Sequence, residues 1–146
     1  MKIYFDTCAL NRPLDDKSEL RIALEAEAVL GILERCEVGA AAYVSSEVLV
    51  LENDRTPHPQ RRAFIAAVLE RASNVITVTD AVRGRAKILE QGGFKAFDAL
   101  HIACAEAANV DYLCTCDDRL LKKANRRTDL AVKVVSPLEL AQESSA

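Results

Sequence analysis

The chain lacks the signatures by which many proteins hold zinc, bind nucleotides or activate a nucleophile. No apolar run approaches the ~20 residues a membrane-spanning helix needs, so a soluble protein is expected. Met1-Lys2 leads straight into a short strand pattern that meets Asp6, which is no signal peptide, and a cytoplasmic location is expected. Histidine is reduced to His58 and His101, which complete no zinc spacing. Five cysteines, Cys8, Cys36, Cys104, Cys114 and Cys116, contain no CxxC pair and are odd in number, so a disulfide framework is not expected and most are read as core filler. There is no GxxxxGK[ST] or GxGxxG loop to cradle phosphates and no GxSxG elbow to present a serine. Nor is there an excess of positive charge. The net charge of −3 argues against general adhesion to nucleic acid, so any such contact must use one face.

What the chain does have is short apolar segments in alternation. At 146 residues it fits one domain, residues 1–146, because domains commonly run to roughly 100–200 residues. Strands are expected at 3–5, 41–44, 75–78, 112–115 and 131–135. Between them lie helical patterns: one from Asp16, with Glu19 at capping-box spacing, to about Cys36; one after Ser45-Ser46; then about 60–72, 80–90, 96–108 and 118–124; a last one opens at Ser136-Pro137-Leu138-Glu139. The stretch after Asp6, through Asn11, Arg12 and Pro13, reads as a loop, Asp80 as a helix cap, Asn109 as a left-handed stop and 142–146 as a frayed tail. Strands alternating with helices imply right-handed crossovers and a short parallel sheet covered on both faces, a three-layer α/β/α sandwich. In such sheets, sites form beyond the carboxyl ends of the strands, where the strand order reverses.

Acids stand where this geometry would gather them. Asp6 follows the opening strand, Asp117 follows the fourth, Asp98 begins an apolar helix, and Glu52 comes late in another. Carboxylates placed together repel one another and raise one another's pKa unless a cation is present. Hard divalent cations, Mg²⁺ or Mn²⁺, prefer such oxygen ligands, and in that setting they activate water and neutralise charge on a breaking phosphodiester. Thr7 and Thr115, beside Asp6 and Asp117, can orient carboxylates or water through their hydroxyls.

The segments IYFDTCALN, VSSEVLVLEN, FDALHIACAEA and YLCTCDDRLL, in that order, resemble the PIN domain, the fold of VapC-type toxin ribonucleases, across almost the whole chain. The resemblance implies a metal-dependent endoribonuclease, the toxin of a toxin–antitoxin pair, with Asp6, Asp98 and Asp117 as the first, third and fourth acids. Glu47 and Glu52 both follow the second strand; the family form fits Glu52, while Glu47 reads as a first-turn acid favoured by the helix dipole. The resemblance further implies an RNA substrate, an antitoxin bound near the rim and a homodimer. DTCALNRP departs from common toxin versions, and the segment with Asn11 and Arg12 bears on substrate access. The alternative is a PIN-like module that binds RNA or protein with little catalysis. An aspartyl-phosphate receiver would show an adjacent acid pair on its first strand, which Asp6 lacks.

Several nearby residues have structural readings. His101 is read as a packing or hydrogen-bonding histidine rather than a base, Asp118 as the cap of the next helix, and Cys114 and Cys116 as core. Arg119, Lys122, Lys123, Arg126 and Arg127, with Arg61 and Arg62 elsewhere, form either a phosphate-contacting stripe or a solvated basic face.

Overall fold

The opening segment Lys2–Phe5 is β1, and its Ile3, Tyr4 and Phe5 are all buried, as expected of a strand covered on both faces. The computed structural model describes residues 1–145. After β1 come α1 (Thr7–Asn11), a 3₁₀ turn at Arg12–Leu14, α2 (Leu20–Glu37), β2 (Ala42–Ser46), α3 (Glu47–Asp54), α4 (Pro59–Glu70), β3 (Val75–Ile76) and α5 (Asp80–Gln91). The chain continues with α6 (Ala96–Ala107), β4 (Tyr112–Cys114), α7 (Asp118–Asn125), β5 (Lys133–Val135) and α8 (Pro137–Ser145). The five strands form one parallel sheet in the order β3-β2-β1-β4-β5, with Ile3 opposite Tyr43 on one side and Tyr112 on the other. The chain builds outward from β1 through β2 to β3, then returns to lay β4 on the opposite side. The order therefore reverses between β1 and β4, which places the exits of those strands beside a crevice. No described helix is long and apolar enough to cross a membrane.

The α/β/α architecture agrees with the alternation in the sequence, and the differences are local. The expected loop after Asp6 is instead α1: the Asp6 carboxylate accepts from the Ala9 amide at 2.9 Å and starts a short helix, which the 3₁₀ turn around Pro13 ends. Asp16 does not cap α2. Its carboxylate accepts from the Ser18 amide at 2.9 Å, a local turn that competes with helix, and α2 begins at Leu20. Thr79, not Asp80, caps α5 by accepting from Val82, while Asp80 pairs with Arg83 at 3.0 Å. β3 is cut to Val75–Ile76. Asn109 does take the left-handed conformation, at φ 54°, ending α6. At α8, Ser136 and Glu139 cap each other reciprocally at 3.2 Å, and residues 142–145 are helical rather than frayed; Ala146 lies outside the described residues.

Candidate functional site

The Asp6 amide still donates to the Cys114 carbonyl at 3.1 Å, so this residue completes the β1–β4 ladder before the chain turns into α1. Its side chain is 4% exposed. Burial pushes the Asp6 carboxyl up from 3.8 to about 6, against hydrogen bonds from Thr115 and the Ala9 amide that favour the ionised form. Thr115, fully buried just past β4, holds two acids at once: its hydroxyl bonds the Asp6 carboxylate, and its Oγ1 accepts from the Asp117 amide at 3.1 Å.

Asp117 is the N-cap of α7, its Oδ1 accepting from the amides of Arg119 at 2.9 Å and Leu120 at 3.3 Å. Asp118, expected in that role, occupies the first helical position and is bound by both terminal nitrogens of Arg21, at 2.9 and 2.6 Å. A guanidinium across the surface thus claims the outer acid and leaves the inner one as the cap.

Asp98 sits in the first turn of α6 and is half-buried. Among the described residues no hydrogen bond reaches its carboxylate. Burial raises its pKa first, the charge of Asp117 next, and that of Glu52 adds; His101 and Lys95 oppose. Asp6 is also raised by Asp98, so this carboxylate feels, or is felt by, each of the other three acids.

Glu52 completes the group from α3. Its Oε1 accepts from the Thr7 hydroxyl at 2.8 Å and is bonded to Nε2 of His101. Burial acts to raise the Glu52 pKa, yet the His101 and Thr7 bonds together hold it below the ordinary value. Glu47, five positions earlier and so roughly 140° around the helix, is exposed and accepts from the Val78 amide at 3.2 Å. Of the two, Glu52 is the one whose charge acts on Asp98.

The sequence reading gave His101 a packing or hydrogen-bonding role, and the residue is buried in a polar chain of that kind. Of the other members, Ser46 was expected, with Ser45 as the alternative, as the cap of the helix after β2 and does cap α3, accepting from the Leu49 amide at 3.1 Å, while Tyr4 was not singled out. A tyrosine in the middle of an otherwise apolar strand, with a hydroxyl that needs a partner, was the available signal.

The basic residues divide. Arg119 and Lys122 on α7 and Arg126 just past its end are exposed and make no ion pair among the described residues, whereas Lys123 donates to the Gly93 carbonyl at 2.8 Å and Arg127 is held by Asp129 at 2.8 Å. Arg61 and Arg62 are not part of a phosphate stripe: Arg61 binds Asp15 at 2.8 Å and the Leu14 carbonyl at 3.1 Å, bracing the segment with Asn11 and Arg12, and Arg62 binds the Thr56 carbonyl at 2.7 Å. Cys114 and Cys116 are buried as expected, but Cys8 is exposed. A cavity of about 680 Å³ lies at the other end of the sheet, lined by Asn109, Arg127 and Lys133 among others, and none of the four acids borders it.

Among the described residues, no group of three or more His, Cys, Asp or Glu side chains is already gathered closely enough to hold a metal ion. Glu52 is drawn to Thr7 and His101, and Asp117 to the α7 amides. In chemistry the donor set does suit a hard divalent cation. The ligands would be carboxylate oxygens; one of them, Asp98, has no hydrogen bond, and two, Asp6 and Asp98, resist ionisation in a way that a cation would relieve.

The family model for the PIN domain matches residues 3–126. No curated protein sequence matches the chain. Among solved structures it is similar to FitAcB from Neisseria gonorrhoeae, with 15% identity over 93% of this chain and 98% of that one and a TM-score of 0.60. VapBC2 from Rickettsia felis, bound to a DNA fragment from their promoter, gives 16% identity over 93% and 98% with a TM-score of 0.61. PAE2754 from Pyrobaculum aerophilum gives 15% identity over 99% and 98% with a TM-score of 0.53. At these identities the likeness is one of fold.

Proposed function

Because the chain belongs to the PIN domain family, we propose that it is a Mg²⁺- or Mn²⁺-dependent endoribonuclease working at the rim where β1 and β4 end. The observation that carries this reading is Asp98: a half-buried carboxylate without a hydrogen bond, raised by burial and then by the charges of Asp117 and Glu52, and itself raising Asp6. Asp6, Asp98, Asp117 and Glu52 would hold the cation. Once bound, it would supply charge neutralisation at the scissile phosphodiester and a lowered pKa for attacking water.

The chain's own groups have separate tasks. Thr115 orients Asp6 and fixes the Asp117 backbone through one hydroxyl, so two strand exits share one reference point. Thr7 and His101 keep Glu52 ionised and aimed. Arg119 and Lys122 on α7, directly after Asp117, and Arg126 at its end would contact backbone phosphates and supply affinity without sequence preference.

The biological role we propose is that of a toxin neutralised by a cognate antitoxin, supported by the family and by the fold shared with VapBC2. Purified protein incubated with single-stranded and structured RNAs is expected to cleave with Mg²⁺ or Mn²⁺ and to stop with EDTA or with Asp98→Asn. Cleavage that survives both would overturn the reading. For the partner, co-expression with a short DNA-binding protein encoded directly upstream should yield a stable complex and relieve any growth arrest.

A further inference from the structure

An interior built for packing alone would not place a tyrosine hydroxyl, a serine and an imidazole together. Tyr4 on β1 is fully buried, Ser46 at the end of β2 is fully buried, and His101 on α6 is 3% exposed. Buried polar groups of this kind cost about 1–3 kcal/mol each when unpaired, so their pairing is informative. The Tyr4 hydroxyl lies 2.7 Å from Ser46 Oγ and 2.6 Å from His101 Nδ1. Ser46 Oγ accepts from the Leu49 amide at 3.1 Å, which anchors this end of the chain to the first turn of α3. At the other end His101 Nε2 meets Glu52 Oε1, which also accepts from Thr7 at 2.8 Å.

With Glu52 ionised and the imidazole neutral, one arrangement of hydrogens runs the length of the chain. An ionised carboxylate can only accept, so Nε2 carries the imidazole proton and donates to Glu52. Nδ1 must then accept from the Tyr4 hydroxyl, and the Tyr4 oxygen accepts from the Ser46 hydroxyl. The two rings meet edge to face, with centroids 5.5 Å apart and planes at 60°, which holds the imidazole in orientation as well as in tautomer. Both hydrogen bonds to the Glu52 carboxylate fall on Oε1, and among the described residues none reaches Oε2.

We propose that Tyr4 and His101 are positioning residues: through a hydrogen-bond chain running from the α3 cap to Glu52, they lock Oε1 and leave Oε2, which no hydrogen bond reaches among the described residues, for the cation. This rests on Glu52 belonging to the site proposed above. The chain also explains how α3 is aligned, because one network fixes its first turn through Ser46 and its last through Glu52. Outer-shell groups that orient a ligand typically change metal affinity by about 10- to 100-fold. Tyr4→Phe keeps the ring and deletes only the hydroxyl.

The test uses the full chain and Mn²⁺ itself as the probe, by isothermal calorimetry, alongside steady-state cleavage and nitrogen-15 spectra of the imidazole. Tyr4→Phe is expected to weaken Mn²⁺ binding about 10-fold and His101→Ala about 30-fold, within the outer-shell range, both lowering kcat with KM for RNA unchanged. His101→Gln, whose amide can still donate to Glu52, should recover most of the loss. In the metal-free protein, at a pH where the imidazole is neutral, the spectra should place its proton on Nε2, and Glu52→Gln should shift that resonance. If Glu52→Gln abolishes Mn²⁺ binding while Tyr4→Phe and His101→Ala bind and cleave like the unmodified protein, the positioning role is wrong and the site stands. If the unmodified protein binds no Mn²⁺, the site falls and this inference with it. Should His101→Ala lose its fold, Tyr4→Phe and the nitrogen spectra decide.

Discussion

The two ends of α6 hold carboxylates in opposite circumstances. Asp98 in its first turn has no hydrogen bond among the described residues and is raised by burial and by Asp117. Glu106 in its last turn is gripped by Arg85 at 2.8 and 3.2 Å and also accepts from the Ala131 amide at 2.8 Å. The contrast extends beyond the helix. Around Glu106, Arg127 draws the Asp129 carboxyl down to about 2, whereas around Asp98 burial pushes Asp6 up to about 6. Arginines are plentiful, yet none pairs with Asp6, Glu52, Asp98 or Asp117 among the described residues. A fold that wanted these four acids only as anchors could have met them with guanidinium groups, as it does at Glu106, Asp15 and Asp118. The comparison teaches that acid content does not mark a site; acids left without a built-in cation do.

The sharpest way to break this contrast is to neutralise one acid at each end of α6. Asp98→Asn is expected to lower cleavage about 1,000-fold, or about 4 kcal/mol in the barrier, and to remove the rise in melting temperature produced by Mn²⁺. Equal loss from Glu106→Gln would erase the distinction.

Next in size is the pH dependence of Asp6. Its folded pKa of about 6 exceeds the ordinary 3.8, so the folded state binds that proton more tightly. Stability from this group is present below about pH 4, is lost as pH rises to about 6 and then levels, a fall of roughly 3 kcal/mol. Urea unfolding in EDTA across that range should show the fall, and Asp6→Asn should flatten it. Mn²⁺ should do the same by restoring stability above pH 6.

Glu106→Gln should cost about 1–2 kcal/mol of folding stability in the same urea measurement, while Mn²⁺ affinity and cleavage stay as they were. The smallest effect belongs to α7: Lys122→Ala should weaken RNA binding about two- to threefold and reduce the salt slope of log K by about 0.7, the value of one single-strand phosphate contact. An unchanged slope would make the exposed lysine a solvating charge.

Much of this was legible because short strands, helical spacing and Gly or Asn stops are local signals. The placement of Asp6 and Asp117 at strand exits followed from alternation alone, once a parallel sheet was inferred. What stayed hidden depends on competition between neighbours or on contacts across the fold. Asp117 against Asp118, and Thr79 against Asp80, are adjacent capping candidates, and distant Arg21 decides the first of them. The helix α1 spans only Thr7–Asn11, too brief for periodicity, and rests on the Asp6 cap. The Tyr4–His101 bond joins residues 97 positions apart and exists only because β1 and α6 pack together. Glu52 against Glu47 was open to the residues and turned on helix phase relative to β1.

Asp6 and Asp117 each begin a helix with one carboxylate oxygen, and Asp98 begins none by hydrogen bonding. This divides the ways in which a cell could rid itself of the activity. Replacing Asp6 or Asp117 by alanine takes a helix cap worth about 1 kcal/mol together with the charge, so inactive alleles of that kind should also be poorly accumulated proteins. Asparagine at the same positions, or at Asp98, keeps the architecture, and the resulting chain would persist as an inert, folded competitor for whatever partner the active form engages.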